Sequence, residues 1–248
     1  MNKLGVESII SNICGKNKDM KSHLFSADMK LADVIHADYS LLLLLHRFGI
    51  NLGFGDKTVW ECCEANHVSC TLFLMICNVY SNEQYLPTEK EIEDIGTDVD
   101  QLIAYLKNSH SYYLENRMFS IQEQLKEISE GCEQQHQQIL NLFFNEYKNE
   151  VIRHFDYEEM TVFPYISNMV KGARPGDYEI GVFRENHSNI DDKLNDLKNI
   201  IMKYLPGDTL SDMRIRVLFG IFALEEDLSK HSLIEDKILV PLVMKLEQ

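Results

Sequence analysis

The sequence predicts an all-α protein, a four-helix up-down-up-down bundle preceded by a small helical unit. Three observations predict it. From about Thr97 onward apolar residues recur at helical spacing through four long segments separated by short breaks rich in glycine and proline. A set of metal-ligating side chains occurs twice at one interval: His110 lies 44 residues before the pair His154 and Glu158, and His187 lies 44 residues before His231 and Glu235. Ahead of the bundle, residues 29 to 80 carry shorter helical periodicities interrupted by Gly49, Gly53 and Gly55.

In chain order, residues 1–28 have weak periodicity and read as a short helix with a loop. Asp28 is placed to cap a helix starting near Met29, and the stretch to Gly49 suits two short helices. A further helix is expected to begin between Asp56 and Cys63 and to run on through Thr71 to Tyr80. Cys63, Cys70 and Cys77, seven residues apart, then mark its buried stripe. Residues 29–80 form a small N-terminal domain, too small to be very stable unless it docks on its own bundle or on that of a second copy in a homodimer. Residues 81–96, with Pro87, read as a linker.

The bundle occupies residues 97–248. Its first helix runs from near Asp98 to Ser129, its second from Glu133 to Val170, its third from Asp177 to Tyr204, and its fourth from Thr209 or Ser211 nearly to the end. Pro164 and Pro241 fall inside the second and fourth, ten residues after His154 and His231. Each removes an amide donor and should kink its helix or end the regular part of it.

Charge narrows the function classes. A formal net charge of −15 argues against nucleic acid and anionic membranes, whose binding requires clustered Lys and Arg. No apolar run approaches the ~20 residues of a membrane span. The first residues lack the apolar core of a signal peptide, so a cytoplasmic location is expected, with the six cysteines as thiols.

A histidine and a glutamate four apart share one helix face, where both can close on one ion. One such pair is commonly a solvated surface pair; two, with matching upstream histidines and matching prolines, point to a shared site. His110, His154, His187 and His231 supply one imidazole from each helix, and Glu158 and Glu235 supply carboxylates whose two oxygens can be shared between cations. Mixed imidazole and carboxylate ligands with vacancies suit two iron ions, or manganese, better than zinc in a closed thiolate shell. Glu159 and Asp236 follow the two glutamates in both copies. Asp191 lies on the ligand face, as an extra ligand, an outer partner or a surface acid. Glu150 and Asp227, one turn before the paired histidines, either orient imidazoles, line a metal entry path or are solvated acids. Tyr105, Tyr112, Tyr113, Tyr157 and Tyr165 read as core, with a place near the site open to them.

The order His, HxxxE, His, HxxxE resembles the hemerythrin-like HHE cation-binding proteins, and among them the di-iron Repair of Iron Centres family. The likeness covers about Asp98 to Gln248. Oxygen-carrying hemerythrins use a fifth histidine on the third helix, where this chain has Asp191, so four histidines and two glutamates favour the repair family. M-K-L-A-D-V-I and L-H-R-F-G-I-N resemble its N-terminal domain, although the adjacent cysteine pair of that domain is replaced here by N-L-G-F-G-D, and Cys62-Cys63 comes later. The resemblance implies a non-haem, carboxylate-bridged di-iron protein that repairs iron–sulfur clusters damaged by nitrosative or oxidative stress, by iron donation or nitric oxide reduction. Its partners would be nitric oxide or dioxygen and damaged iron–sulfur proteins. The alternative is a hemerythrin-like module that binds or senses oxygen or iron without turnover. A third reading is a bundle in which metal only holds the helices together.

Overall fold

The computed structural model describes residues 24–130, 132–173, 178–186, 191–205 and 211–247, with side chains left undescribed at 184–186 and 191–193. The described chain is all-α and contains no strand, only an isolated bridge between Lys30 and Thr58.

The N-terminal unit comprises α1 (Leu31–Ala37), a 3-10 turn (Tyr39–Leu41), α2 (Leu42–Arg47), α3 (Val59–Ala65) and α4 (Cys70–Ser81). Asp28 does not cap α1. Lys30 holds the cap position without a side-chain bond, and Asp28 accepts instead from the Ser26 hydroxyl at 2.6 Å. Helix α2 ends in a Schellman turn: Gly49 adopts φ 70°, and the amides of Gly49 and Ile50 return to the carbonyls of His46 and Leu45. The expected single helix from Asp56 to Tyr80 is two helices. Asn66 to Ser69 breaks it, and each part has its own N-cap, Thr58 with Glu61 in a capping box for α3 and Ser69 bonding the Leu72 amide for α4. Cys63 therefore sits on one helix and Cys70 and Cys77 on the next. Within residues 81–96 a further short helix, α5 (Glu89–Asp94), forms behind a capping box of Thr88 and Glu91.

The bundle's first helix is α6 (Val99–Ser111) and α7 (Met118–Ser129), joined through a π turn, Tyr112–Arg117. The second is α8 (Gln134–Tyr157) and α9 (Phe163–Val170), joined through Glu158–Val162. The third contains α10 (Ile180–Asn186), α11 (Asp191–Asn199) and the π turn Ile200–Tyr204; the fourth is α12 (Ser211–Ile234) and α13 (Val240–Leu246), joined through Glu235–Leu239. Contacts of α7 with α8 and α12, and of α11 with α8 and α12, close the square expected of an up-down-up-down bundle. Pro164 and Pro241 sit at the start of α9 and α13, directly after π turns. Proline cannot bond the carbonyl four residues back and its ring crowds it, so a wider turn upstream accommodates both defects. Beyond Val170, Gly172 at φ 78° closes a second Schellman turn through the Asn168 and Met169 carbonyls.

Two apolar cores fill the molecule. One joins the N-terminal unit to one end of the bundle, through residues such as Leu44, Phe73, Ile76, Leu102, Leu106, Phe163 and Leu239. The other fills the opposite end with Ile121, Leu125, Phe144, Val151, Leu197 and Ile221. No described helix is long and apolar enough to cross a membrane.

Candidate metal centre

His110, Glu158, His231 and Glu235 converge where the two cores meet. All four are buried, and one ligand atom from each lies within 4.8 Å of the others. His110 occupies the last turn of α6 and His231 the last turn of α12, while Glu158 and Glu235 each open a π turn. The repeat in the sequence is thus a repeat in local structure: histidine, one α turn, glutamate, π turn, proline.

The polar atoms face one another. Nε2 of His110 lies 3.0 Å from Oε2 of Glu158 and 3.2 Å from Nε2 of His231. Nε2 of His231 lies 3.3 Å from Glu235, and Nε2 of His154 lies 2.9 Å from Oε1 of Glu158. His154 joins the cluster from its rim, with its side chain 15% exposed. His187 lies outside the described residues, and Asp191 begins α11 with its side chain undescribed.

Glu159 pairs with Nδ1 of His110 at 2.8 Å, which leaves Nε2 directed at the cluster. A carboxylate behind an imidazole in this way fixes the ring and raises its basicity toward a metal. Burial opposes protonation of His110, but Glu158, Glu159 and Glu235 outweigh it and raise its pKa above the ordinary imidazole value. The ring of His110 stacks on Phe155 at 3.9 Å between centroids and 7° between planes, and Phe163 lies near-parallel to it at 5.8 Å. Tyr113 presents an edge to His231 at 5.6 Å. Sequence spacing did not single out Phe155 or Phe163, because their approach crosses between helices.

A second buried network stands behind the cluster. Asp227, one turn before His231, accepts from Arg47 at 2.6 Å and from the Tyr80 hydroxyl at 2.7 Å, and its carbonyl accepts from Tyr113 at 3.0 Å. The Arg47 guanidinium lies over the Tyr113 ring, 5.0 Å from its centroid. Asp227 therefore orients no imidazole directly; it anchors the N-terminal unit beside the site. Burial pushes the hydroxyls of Tyr80 and Tyr113 well up, so both remain donors. Of the other tyrosines, Tyr105 is core, Tyr157 bonds Tyr178 at 2.9 Å, and Tyr165 bonds Glu247 at 2.5 Å.

Two carboxylates and two imidazoles buried at one point form a candidate site for a metal ion. Without a cation, gathering such groups away from water costs several kcal/mol. The Nδ1 atom of His231 is a buried nitrogen with no hydrogen-bond partner among the described residues. No curated protein matches the sequence. The hemerythrin HHE cation binding domain matches residues 101–243, more than half of the chain and every residue of the cluster. With a bundle of that architecture and a buried His and Glu cluster inside the matched span, this chain belongs to the hemerythrin HHE cation-binding family.

Proposed function

We propose that the protein holds a non-haem di-iron centre that binds a small diatomic ligand, dioxygen or nitric oxide. His110, His154, His187 and His231 would be terminal ligands, and Glu158 and Glu235 would be shared between the ions. The convergence of four buried ligand atoms within 4.8 Å carries this reading. Iron held there supplies open coordination positions and one-electron redox chemistry. The residues around it do the rest. Phe155 and Phe163 pack apolar rings against His110, and Glu159 holds that ring's tautomer.

Metal analysis of protein purified without added metal, with optical spectra before and after reduction and exposure to each gas, tests it. About two irons per chain, with absorption that bleaches on reduction and shifts with the ligand, are expected. Zinc, or a spectrum indifferent to both gases, would leave metal as a helix clamp only.

The narrower reading, repair of damaged iron–sulfur clusters, rests on the likeness of M-K-L-A-D-V-I and L-H-R-F-G-I-N to the N-terminal domain of the repair family. Arg47 of the second stretch pairs with Asp227 in the buried network beside the cluster. An iron–sulfur enzyme inactivated by nitric oxide should regain activity with the iron-loaded protein and not with the metal-free form. Equal recovery with both would confine the protein to ligand binding or sensing.

A further inference from the structure

Helix α12 is apolar on two sides. Residues 215–224, I-R-V-L-F-G-I-F-A-L, contain a single charge, Arg216. Val217, Ile221 and Leu224 are buried in the bundle core. At about 100° per residue the opposite face carries Ile215, Phe219 and Phe222. These three are 48%, 72% and 46% exposed. An outer bundle helix ordinarily turns polar residues to water, and a helix apolar all round is one that is covered all round. Spaced four and three apart, the three side chains make one stripe about two turns long, unlike the scattered single residues of an ordinary surface. Phe222 has partial cover from the Lys198 ammonium, 4.7 Å from its ring centroid. Phe219, in the middle of the stripe, projects into solvent.

The two ends of the stripe are oppositely charged. Arg216 and Glu226 are exposed and project within about 60° of Phe219 around the helix. Neither is ion-paired to a described residue, whereas the neighbouring Glu225 is taken by Lys198 at 2.5 Å. A stripe with a cation at one end and an anion at the other is complementary to itself run in the opposite direction. Two copies of α12 laid antiparallel about a twofold axis at Ile221 bring Arg216 of each copy to Glu226 of the other. In that register Phe219 of each copy lies against the small Ala223 of the other, and the two Phe222 rings meet beside the axis. A parallel arrangement would set like charges together.

We propose that the outer face of α12 is the contact of an isologous homodimer, in which two copies of this chain pack α12 against α12 antiparallel, each Phe219 and Phe222 between an Arg216 and a Glu226 of opposite copies. The occupant is a second copy because one register of the stripe against itself satisfies both the charge order and the placing of a large ring on a small residue. A contact of this length lies at the small end for a specific interface, so the dimer forms and dissociates with concentration in the micromolar range. The buried face of α12 is not involved, and the inference is independent of the metal reading.

Sedimentation equilibrium of the full-length protein over a series of concentrations tests it. The wild type should follow a monomer–dimer equilibrium. Phe219→Glu should weaken association at least about tenfold, with the circular dichroism and melting of the dilute protein unchanged because the ring it replaces is exposed. Arg216→Glu and Glu226→Arg should each weaken association by about tenfold, and the double variant, which reverses the order of the charges in both copies, should restore it. A wild type that stays monomeric into the millimolar range would overturn the proposal, as would a dimer indifferent to Phe219→Glu, which must form through another surface. A double variant that associates no better than the single ones would overturn the antiparallel register. All three substituted positions are exposed, so the reciprocal exchange reads the contact and not the fold.

Discussion

Arg47 and Asp227, 180 residues apart in sequence, meet at 2.6 Å with both side chains buried. Their bond ties the end of α2 to the fourth bundle helix one turn from His231, and the Arg47 carbonyl accepts from Asn108, two residues before His110. Removing one partner leaves a buried charge without its counterion. Arg47→Met and Asp227→Leu should each destabilise the protein by about 3–5 kcal/mol. Arg47→Met combined with Asp227→Leu should cost clearly less than the sum. Denaturant unfolding of the four proteins checks this; additive losses would show that the pair is not coupled.

Glu159 pairs its side chain with His110 from the outer edge of the cluster, and 39% of that side chain is exposed. Glu159→Gln should leave folding nearly unchanged yet weaken metal binding by about 10–100-fold, the usual effect of losing a partner behind a ligating imidazole. Competition against a chelator measures it. Unchanged affinity would show that the 2.8 Å contact does not tune the ligand.

Glu158 and Glu235 place two carboxylates at one buried point. Glu158→Gln or Glu235→Gln should therefore reduce both the metal content and the rise in melting temperature that metal loading brings. Paired melting curves of the metal-free and metal-loaded forms with metal analysis check this, and an undiminished metal-induced rise would contradict a shared ligand role.

In the metal-free protein His110 adds a pH dependence of definite sign. Its folded pKa is raised, because the three glutamates outweigh burial. The stabilisation is thus fully present below about pH 6.5, the unfolded value, and is lost as pH rises through the folded one. Metal uptake requires the deprotonated ring, so loading should release protons and strengthen as pH rises. Apo melting temperature against pH, with proton release during titration with Fe(II), checks both.

Much of this was legible in the residues. Helical spacing and glycine breaks placed the long bundle helices, and the doubled HxxxE pattern pointed to residues of which His110, Glu158, His231 and Glu235 are brought together. The matching Glu159 and Asp236 were visible as a repeat, but the role of Glu159 lies in a contact across 49 residues that no local pattern encodes. Arg47 reads in sequence as a basic residue in the last turn of a short helix, an ordinary exposed position; only the docking of α2 on α6 buries it. The break at Asn66 to Ser69 was hidden because a seven-residue cysteine recurrence fits one continuous helix as well as two helices at a corner. Pro164 and Pro241 announced a defect in each helix, but a proline gives no sign of whether the chain will kink, stop or widen into a π turn.

The π turns at Glu158 and Glu235 separate helix faces that serve different cores. Upstream, Val151, Phe155, Ile221 and Leu224 fill one; downstream, Val162, Ile166, Leu239 and Val243 fill the other. Each wide turn works as a phase shifter, inserting a residue so that the apolar stripe comes into register again on the far side of the His and Glu cluster. Deleting one residue from either turn would rotate everything beyond it by about 100° and swing Ile166 or Val243 off its core. The spacing from glutamate to proline is therefore as constrained as the spacing from histidine to glutamate, and a change of length there would unpack one half of the molecule while leaving the other intact.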